Sequence, residues 1–261
     1  MSNAPSCSAW RLYVIIDKSA ARDRDLAWIA DQAIRGGADV IQLRDKTASA
    51  QVLIDEATRL RTITQAAGIP LIINDRVDVA VAVGADGVHL GQDDLPVAVA
   101  RQILGPKRLL GTSTHSLAQA LEADRVGADY LAVGPIYPTP TKPEYPHVGP
   151  ALISQIAARV QRPLVTIGGI DQTTLPKVLA AGARCVAVVR AVCGADDPQA
   201  AARLLKDSLL RMVPTEILLR PSLCFPRCGS GSLGEDPACP GARCGSTSLT
   251  TALSECNESK G

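Results

Sequence analysis

The sequence predicts an α/β fold, a (β/α)8 TIM barrel, and three observations carry that prediction. Eight short apolar runs recur along the chain, helix-like amphipathic stretches separate them, and a Gly-Ala-Asp triplet recurs at the joints. Strictly alternating strands and helices imply a parallel sheet, and eight such units can close into a barrel inside a ring of helices. With 261 residues and 46% apolar content the chain can bury one large core. An open doubly wound sheet is the alternative. It would normally have fewer strands and a Gly-rich turn after the first one, and IIDKSAARDRD offers no such turn.

In order, the expected strands are RLYVIID (11–17), VIQLR (40–44), PLIIN (70–74), GVHL (87–90), LLGTS (109–113), YLAVGP (130–135), PLVTIGG (163–169) and CVAVVR (185–190). Between them DLAWIADQAIR, AQVLIDEATRLRTITQAA and LAQALEADRV place apolar residues three and four apart, the spacing of one helix face. The triplet stands at Gly37-Ala38-Asp39, Gly84-Ala85-Asp86 and Gly127-Ala128-Asp129, with the variant Gly182-Ala183-Arg184 before the eighth run. Glycine after a helix end supplies the left-handed residue that stops it, so each triplet reads as a helix-to-strand joint. The organisation expected is an N-terminal extension over 1–8, the barrel over 9–212, and a Cys/Gly/Ser/Pro-rich tail over 213–261. The tail is read as flexible and dispensable for chemistry.

Barrel enzymes carry their functional residues at the carboxyl ends of the strands, and here the polar residues gather there. Strand two ends Gln42-Leu43-Arg44-Asp45-Lys46, where alternation gives Gln42, Arg44 and Lys46 one facing and suggests an anion site. Strand three ends Asn74-Asp75-Arg76, and strand four leads through His89 to Asp93 and Asp94. Acids at adjacent strand mouths suit Mg2+, which takes one or two carboxylates and completes its shell with water and phosphate; Asp75 and Asp94 are the expected ligands. Asp93 can instead be a helix cap before LPVAVARQIL. Strand five ends Gly111-Thr112-Ser113-Thr114-His115, where Ser113 either supplies a pocket hydroxyl or caps the next helix. Thr139, Pro140, Thr141 and Lys142 lie in a long polar loop after strand six, and Gly168-Gly169 and Val189-Arg190 end strands seven and eight. Those last two loops form the phosphate cup of a phosphate-binding barrel, which fixes the barrel type.

Net charge is +1 and no basic run is long, which speaks against nucleic acid and anionic membrane as partners. The apolar stretches fall far short of the ~20 residues that cross a bilayer. The start MSNAPSCSAW does not read as a secretory signal, so a cytoplasmic protein is expected. Cys7, Cys185 and Cys193 read as small buried thiols. Cys224, Cys228, Cys239, Cys244 and Cys256 have spacings that could ligate zinc or form disulfides, set in Gly, Ser and Pro with little apolar content.

Taken in order, Q-L-R-D-K, N-D-R, D-G-V-H-L-G-Q-D-D, G-T-S-T-H, G-P-I-Y-P-T-P-T-K and I-G-G-I resemble the signature set of the thiamine phosphate synthase family, over Ala9 to about Leu210. The resemblance implies a transferase that joins a 4-amino-2-methylpyrimidine diphosphate to a thiazole phosphate, or its carboxylated form, with Mg2+ and release of diphosphate. It implies a dissociative course in which diphosphate leaves first and the thiazole nitrogen attacks the resulting cation. Gln42, Leu43, Arg44, Asp45, Lys46 and Asn74 then serve the pyrimidine diphosphate, Asp75 and Asp94 the metal, and Ser113 the pyrimidine. Thr139, Pro140, Thr141, Gly168, Val189 and Arg190 surround the thiazole phosphate. Arg44, Lys46 and Lys142 carry the catalytic charge, Lys142 between the two anions. Many relatives have a small residue at Arg190. His89 and His115 are expected in structural roles, since this chemistry needs no general base. A thiazole tautomerase of the same fold and a non-catalytic phosphate-ligand barrel are the competing readings, and pairing through the outer helices into a homo-oligomer is an open expectation.

Overall fold

The computed structural model describes residues 7–141 and 145–212. Lys142, residues 1–6 and the whole segment 213–261 with its five cysteines lie outside the described residues. Eight parallel strands close into a barrel in sequence order: β1 (Leu12–Asp17), β2 (Val40–Arg44), β3 (Leu71–Asn74), β4 (Gly87–Leu90), β5 (Leu109–Thr114), β6 (Tyr130–Val133), β7 (Leu164–Ile167) and β8 (Cys185–Val188). Around them lie α1 (Leu26–Arg35), α2 (Ala50–Ala67), α3 (Val77–Ala82), α4 (Val97–Leu104), α5 (Leu117–Arg125), α6 (Ala151–Ala157), α7 (Leu175–Ala180), α8 (Arg190–Cys193) and α9 (Pro198–Met212).

Three strands stop two residues short of their expected carboxyl ends, for local reasons. β6 stops at Val133 because Pro135 has no N–H to give the ladder. β7 stops at Ile167 because Gly168 and Gly169 take φ of +103° and +63°. β8 stops at Val188 because Val189 turns the chain into α8, so Arg190 is helical and not the last residue of a strand.

Each residue of the Gly-Ala-Asp triplet has its own task. Gly37, Gly84, Gly127 and Gly182 all have positive φ, and the alanines after them are buried. The aspartates reach across to the start of an adjacent strand. Asp39 Oδ2 accepts from the backbone N–H groups of Arg11 and Leu12, Asp86 Oδ2 from Leu71, and Asp129 Oδ2 from Leu110, each at 2.8 Å. A cation from an outer helix completes each carboxylate: Lys206, Arg61 and Arg101 respectively. These clamps tie even strands β2, β4 and β6 to their neighbours at the amino-terminal end of the barrel. Arg184 stands exposed before β8, where a side chain without an acceptor cannot make the same clamp.

Two apolar layers follow from strand alternation. Leu12, Val14, Ile16, Ile41 and Leu43 face the helices, while Trp10, Tyr13, Ile15, Val40, Leu109, Tyr130, Val165 and Cys185 fill the barrel. Trp10 packs edge-on against Tyr13 and Tyr130 near the amino-terminal end. Cys7, Cys185 and Cys193 are buried thiols, and burial pushes Cys7 up to about 12. The carboxyl end is left open for the site.

Candidate active site

A pocket of about 500 Å³ occupies that open end. Ile15, Ala132, Ile167 and Ala187 line it from the strands, and polar residues from the strand ends and following loops line it as well. Gln42, Arg44, Asn74, Asp75, Ser113, Thr139, Pro140, Thr141, Gly168, Val189 and Arg190 all line this one pocket.

One side of the pocket holds charges in fixed pairs. Asp17 and Arg44 are partners in the β1–β2 register, and their side chains form an ion pair, 2% and 14% exposed. Asp17 also accepts from the Ser19 N–H and hydroxyl, so the carboxylate that aims Arg44 is itself held. Lys46 Nζ lies 2.6 Å from Asp75 Oδ2. Asp75 takes a left-handed backbone, φ +62°, and its N–H donates to the carbonyl of His89. Its carboxyl is held above the usual carboxylate range by burial first, then by the Asp94 carboxyl beside it, with Lys46 opposing. Asp94 is positioned by the Gly91 N–H, which donates to its Oδ2 at 2.7 Å.

Two neighbouring carboxyls in a partly buried site raise each other's cost of ionisation, and a divalent cation between them relieves it. The donor set therefore fits Mg2+ bound through two carboxylates and completed by phosphate oxygens and water. Among the described residues there is no cluster of three or more His, Cys, Asp or Glu of the kind that cages a metal by itself.

The opposite side is built from two loops in close contact. Ile136 N–H donates to the carbonyl of Ile167 at 2.9 Å and Tyr137 N–H to that of Gly168 at 3.0 Å. A Cβ on Gly168 would lie 2.4 Å from Pro135 Cα, so glycine is required for these loops to meet. The cup that results presents Thr139, Thr141, Gly168 and the start of α8 to the pocket. Arg190 is exposed at the start of α8.

The sequence model for the family described as thiamine monophosphate synthase matches residues 12–192. The chain belongs to this family. A thiamine-phosphate synthase of Chloroflexus aurantiacus is 53% identical over 198 residues, covering 76% of this chain and 91% of that protein. One from a Mycobacterium species is 48% identical over 217 residues, covering 79% and 95%. Among solved structures, the thiamine phosphate pyrophosphorylase of Pyrococcus furiosus superposes with a TM-score of 0.72 at 36% identity, covering 78% of this chain and 96% of that one. A phosphate-sugar epimerase of Clostridium perfringens, at 18% identity and a TM-score of 0.55, shares the fold alone.

Within this thiamine monophosphate synthase barrel five residues singled out from sequence have specific local partners or facings. Leu43 is buried against the outer helices, because its neighbours Gln42 and Arg44 take the inward facing, so its side chain does not reach the pocket. Asp45 turns back on its own loop and accepts from Thr47 and Ala48 N–H groups, which makes it a turn former. Asp93 does not cap α4: that helix starts at Val97, and Asp93 accepts instead from the Tyr145 hydroxyl. Ser113 does not cap α5, where Ser116 does so, and its Oγ lies 3.0 Å from His89 Nε2. His115 joins its ring Nδ1 to the carbonyl of Gly134, and its ring lies tilted against that of Tyr145.

Sequence reasoning missed Asp17, Tyr13 and Tyr130. Asp17 carried a usable signal, since it is an acid at a strand's carboxyl end like Asp75. The two tyrosines did not: an aromatic in a strand is ordinary core until the barrel shows that both hydroxyls meet inside it, 3.0 Å apart.

Proposed function

We propose that this chain condenses 4-amino-2-methyl-5-(diphosphooxymethyl)pyrimidine with 4-methyl-5-(2-phosphoethyl)thiazole, or its 2-carboxy form, to give thiamine phosphate and diphosphate, with Mg2+ at Asp75 and Asp94. The observation that supports this reading is one pocket lined by Arg44, Asn74 and Asp75 on one side, with Lys46 and Asp94 against Asp75, and by Thr139, Thr141, Gly168 and Arg190 on the other, which suits two different anions.

Bound Mg2+ would supply positive charge to the departing diphosphate. Arg44, aimed by Asp17, and Lys46 add fixed cations where negative charge grows on the leaving oxygen, in a partly dehydrated site. The pyrimidinylmethyl carbon loses its bond to the diphosphate oxygen and gains one to the thiazole nitrogen. No side chain has to take a proton in that exchange. Gln42 and Ser113 at the pocket floor hold the pyrimidine ring, while Thr139, Thr141, Gly168 and the backbone at Val189 and Arg190 hold the thiazole phosphate. Charged phosphate esters do not cross a bilayer unaided, which supports a cytoplasmic setting; among the described residues no helix is long and apolar enough to span one.

The deciding experiment incubates the purified protein with both substrates, with and without Mg2+. Diphosphate and thiamine phosphate should appear together and only with the metal. Absence of product with Mg2+ present would defeat the proposal. A thiazole tautomerase or a phosphate-ligand barrel would bind the thiazole phosphate without this turnover, and neither needs the Asp75–Asp94 pair beside Arg44.

A further inference from the structure

Beneath the pocket floor runs a continuous chain of side-chain hydrogen bonds that none of the charges above explains. Gln42 Nε2 donates to Tyr13 Oη at 2.7 Å, Tyr13 Oη lies 3.0 Å from Tyr130 Oη, Tyr130 Oη 3.2 Å from His89 Nδ1, and His89 Nε2 3.0 Å from Ser113 Oγ. The five residues come from β2, β1, β6, β4 and β5, and both ends of the chain line the pocket while the two tyrosines are fully buried. His89, Gly111 and Tyr130 are successive partners in register across β4, β5 and β6. A Cβ on Gly111 would overlap the Tyr130 ring at 2.0 Å, so glycine there is what lets the phenol reach over β5 to His89.

Such a chain has a direction, because each hydroxyl has one proton to give. The Gln42 amide nitrogen only donates, so Tyr13 accepts there and gives its proton to Tyr130. Tyr130 then gives its proton to His89 Nδ1. With Nδ1 accepting, the imidazole proton sits on Nε2 and goes to Ser113 Oγ. Burial raises both phenols, so they stay protonated donors at neutral pH. With the chain so directed, the floor offers the carbonyl oxygen of Gln42 as an acceptor and the hydroxyl proton of Ser113 as a donor.

We propose that Tyr13, Tyr130 and His89 are positioning residues that fix this polarity, so that the floor selects a ring edge with an N–H donor beside a ring-nitrogen acceptor. That is the edge of an aminopyrimidine. The corresponding oxopyrimidine presents the reverse, a carbonyl acceptor beside an N–H donor, and binds less well because its carbonyl faces the Gln42 oxygen and its N–H faces the Ser113 proton. This selection rests on the pyrimidine reading above; the direction of the chain does not.

Two measurements test it. The protein has three histidines, so 15N spectra of histidine-labelled full-length chain resolve His89, which should be a single Nε2–H tautomer in the wild type and a mixture in Tyr130→Phe. Calorimetry with the non-reacting monophosphates of the amino- and oxopyrimidines should give a preference for the amino ring of about 100-fold or more, the scale set by mismatched buried polar groups. In Tyr130→Phe that preference should fall by roughly tenfold, one hydrogen bond's worth, with thiazole phosphate affinity unchanged. An Nδ1–H tautomer in the wild type overturns the direction of the chain, and this readout needs no variant to fold. An unchanged amino-to-oxo ratio in a folded Tyr130→Phe overturns the selection. If neither pyrimidine binds while the Nε2–H tautomer is present, the substrate reading fails and the edge selection with it, whereas the chain's direction stands.

Discussion

Asp17 and Arg44 face each other in register at the ends of β1 and β2, and their ion pair is built into the pocket wall. The carboxylate aims the guanidinium before any ligand arrives, and such preorganisation lets a cation stabilise leaving-group charge without rearranging.

Arg44→Ala should therefore lower kcat by about 2 to 4 kcal/mol of barrier, the usual worth of one transition-state anion contact. Asp17→Asn should lose a part of that, about tenfold in kcat/KM for the pyrimidine diphosphate, because Arg44 remains but is less well aimed. Steady-state rates for both variants check this, and wild-type rates in both would remove Arg44 from the chemistry. Arg44→Ala also strands the buried Asp17 and should cost about 3 kcal/mol in urea unfolding.

Asp75→Asn keeps the size of the side chain, and asparagine tolerates the left-handed backbone at φ +62°. The fold should survive while the Mg2+ concentration for half-maximal rate rises roughly tenfold or more, equivalent to about 1.4 kcal/mol of lost attraction. Asp94→Asn, which keeps the acceptor for Gly91, should behave alike. A Mg2+ titration unmoved by both substitutions would free the two carboxylates from any metal role.

Gly168→Ala places a methyl 2.4 Å from Pro135 Cα at a residue with φ +103°. Backbone strain and overpacking together should lower stability by about 2 kcal/mol or more. The displaced loops should raise KM for the thiazole phosphate and leave KM for the pyrimidine diphosphate near its wild-type value. Parallel changes in both constants would contradict the assignment of this cup to the thiazole side.

Asp25 caps α1 through the Trp28 N–H, and its carboxyl is held below 3.8 chiefly by the Arg59 guanidinium. A depressed folded pKa contributes stability that is present above the unfolded value and lost as pH falls through the folded one. The stability gap between wild type and Asp25→Asn, which keeps the cap but not the charge, should hold from neutral pH to about pH 4 and close below it. Thermal unfolding across that range reads it, and a gap that widens in acid would reverse the sign.

Most of the barrel was legible because its rules are local. The apolar runs marked all eight strands to within two residues at each end, and the glycine of each triplet marked the helix stops through its own backbone preference. Polar residues at strand ends were legible for a related reason: in a parallel barrel the carboxyl end of every strand reaches the same mouth, so Arg44, Asn74, Asp75, Ser113 and Arg190 could be grouped without coordinates. Leu43 and Asp45 were swept in with them because a motif names a segment, and only the facing of each residue decides what reaches the pocket.

The triplet aspartates show where local reading stops. Their position was plain, but their purpose, accepting N–H groups from an adjacent strand and pairing with a cation from an outer helix, depends on residues between 15 and 167 positions away. The Tyr13–Tyr130 contact spans 117 positions and depends on Gly111 leaving room between. By itself the sequence determined the fold class, the family and the end of the barrel where chemistry gathers, since periodicity, backbone preference and motif order are written along the chain. Only the tertiary structure decided which side chains share a carboxylate, a proton or a ring edge, because hydrogen bonds are made at about 3 Å and nothing in one dimension encodes that distance.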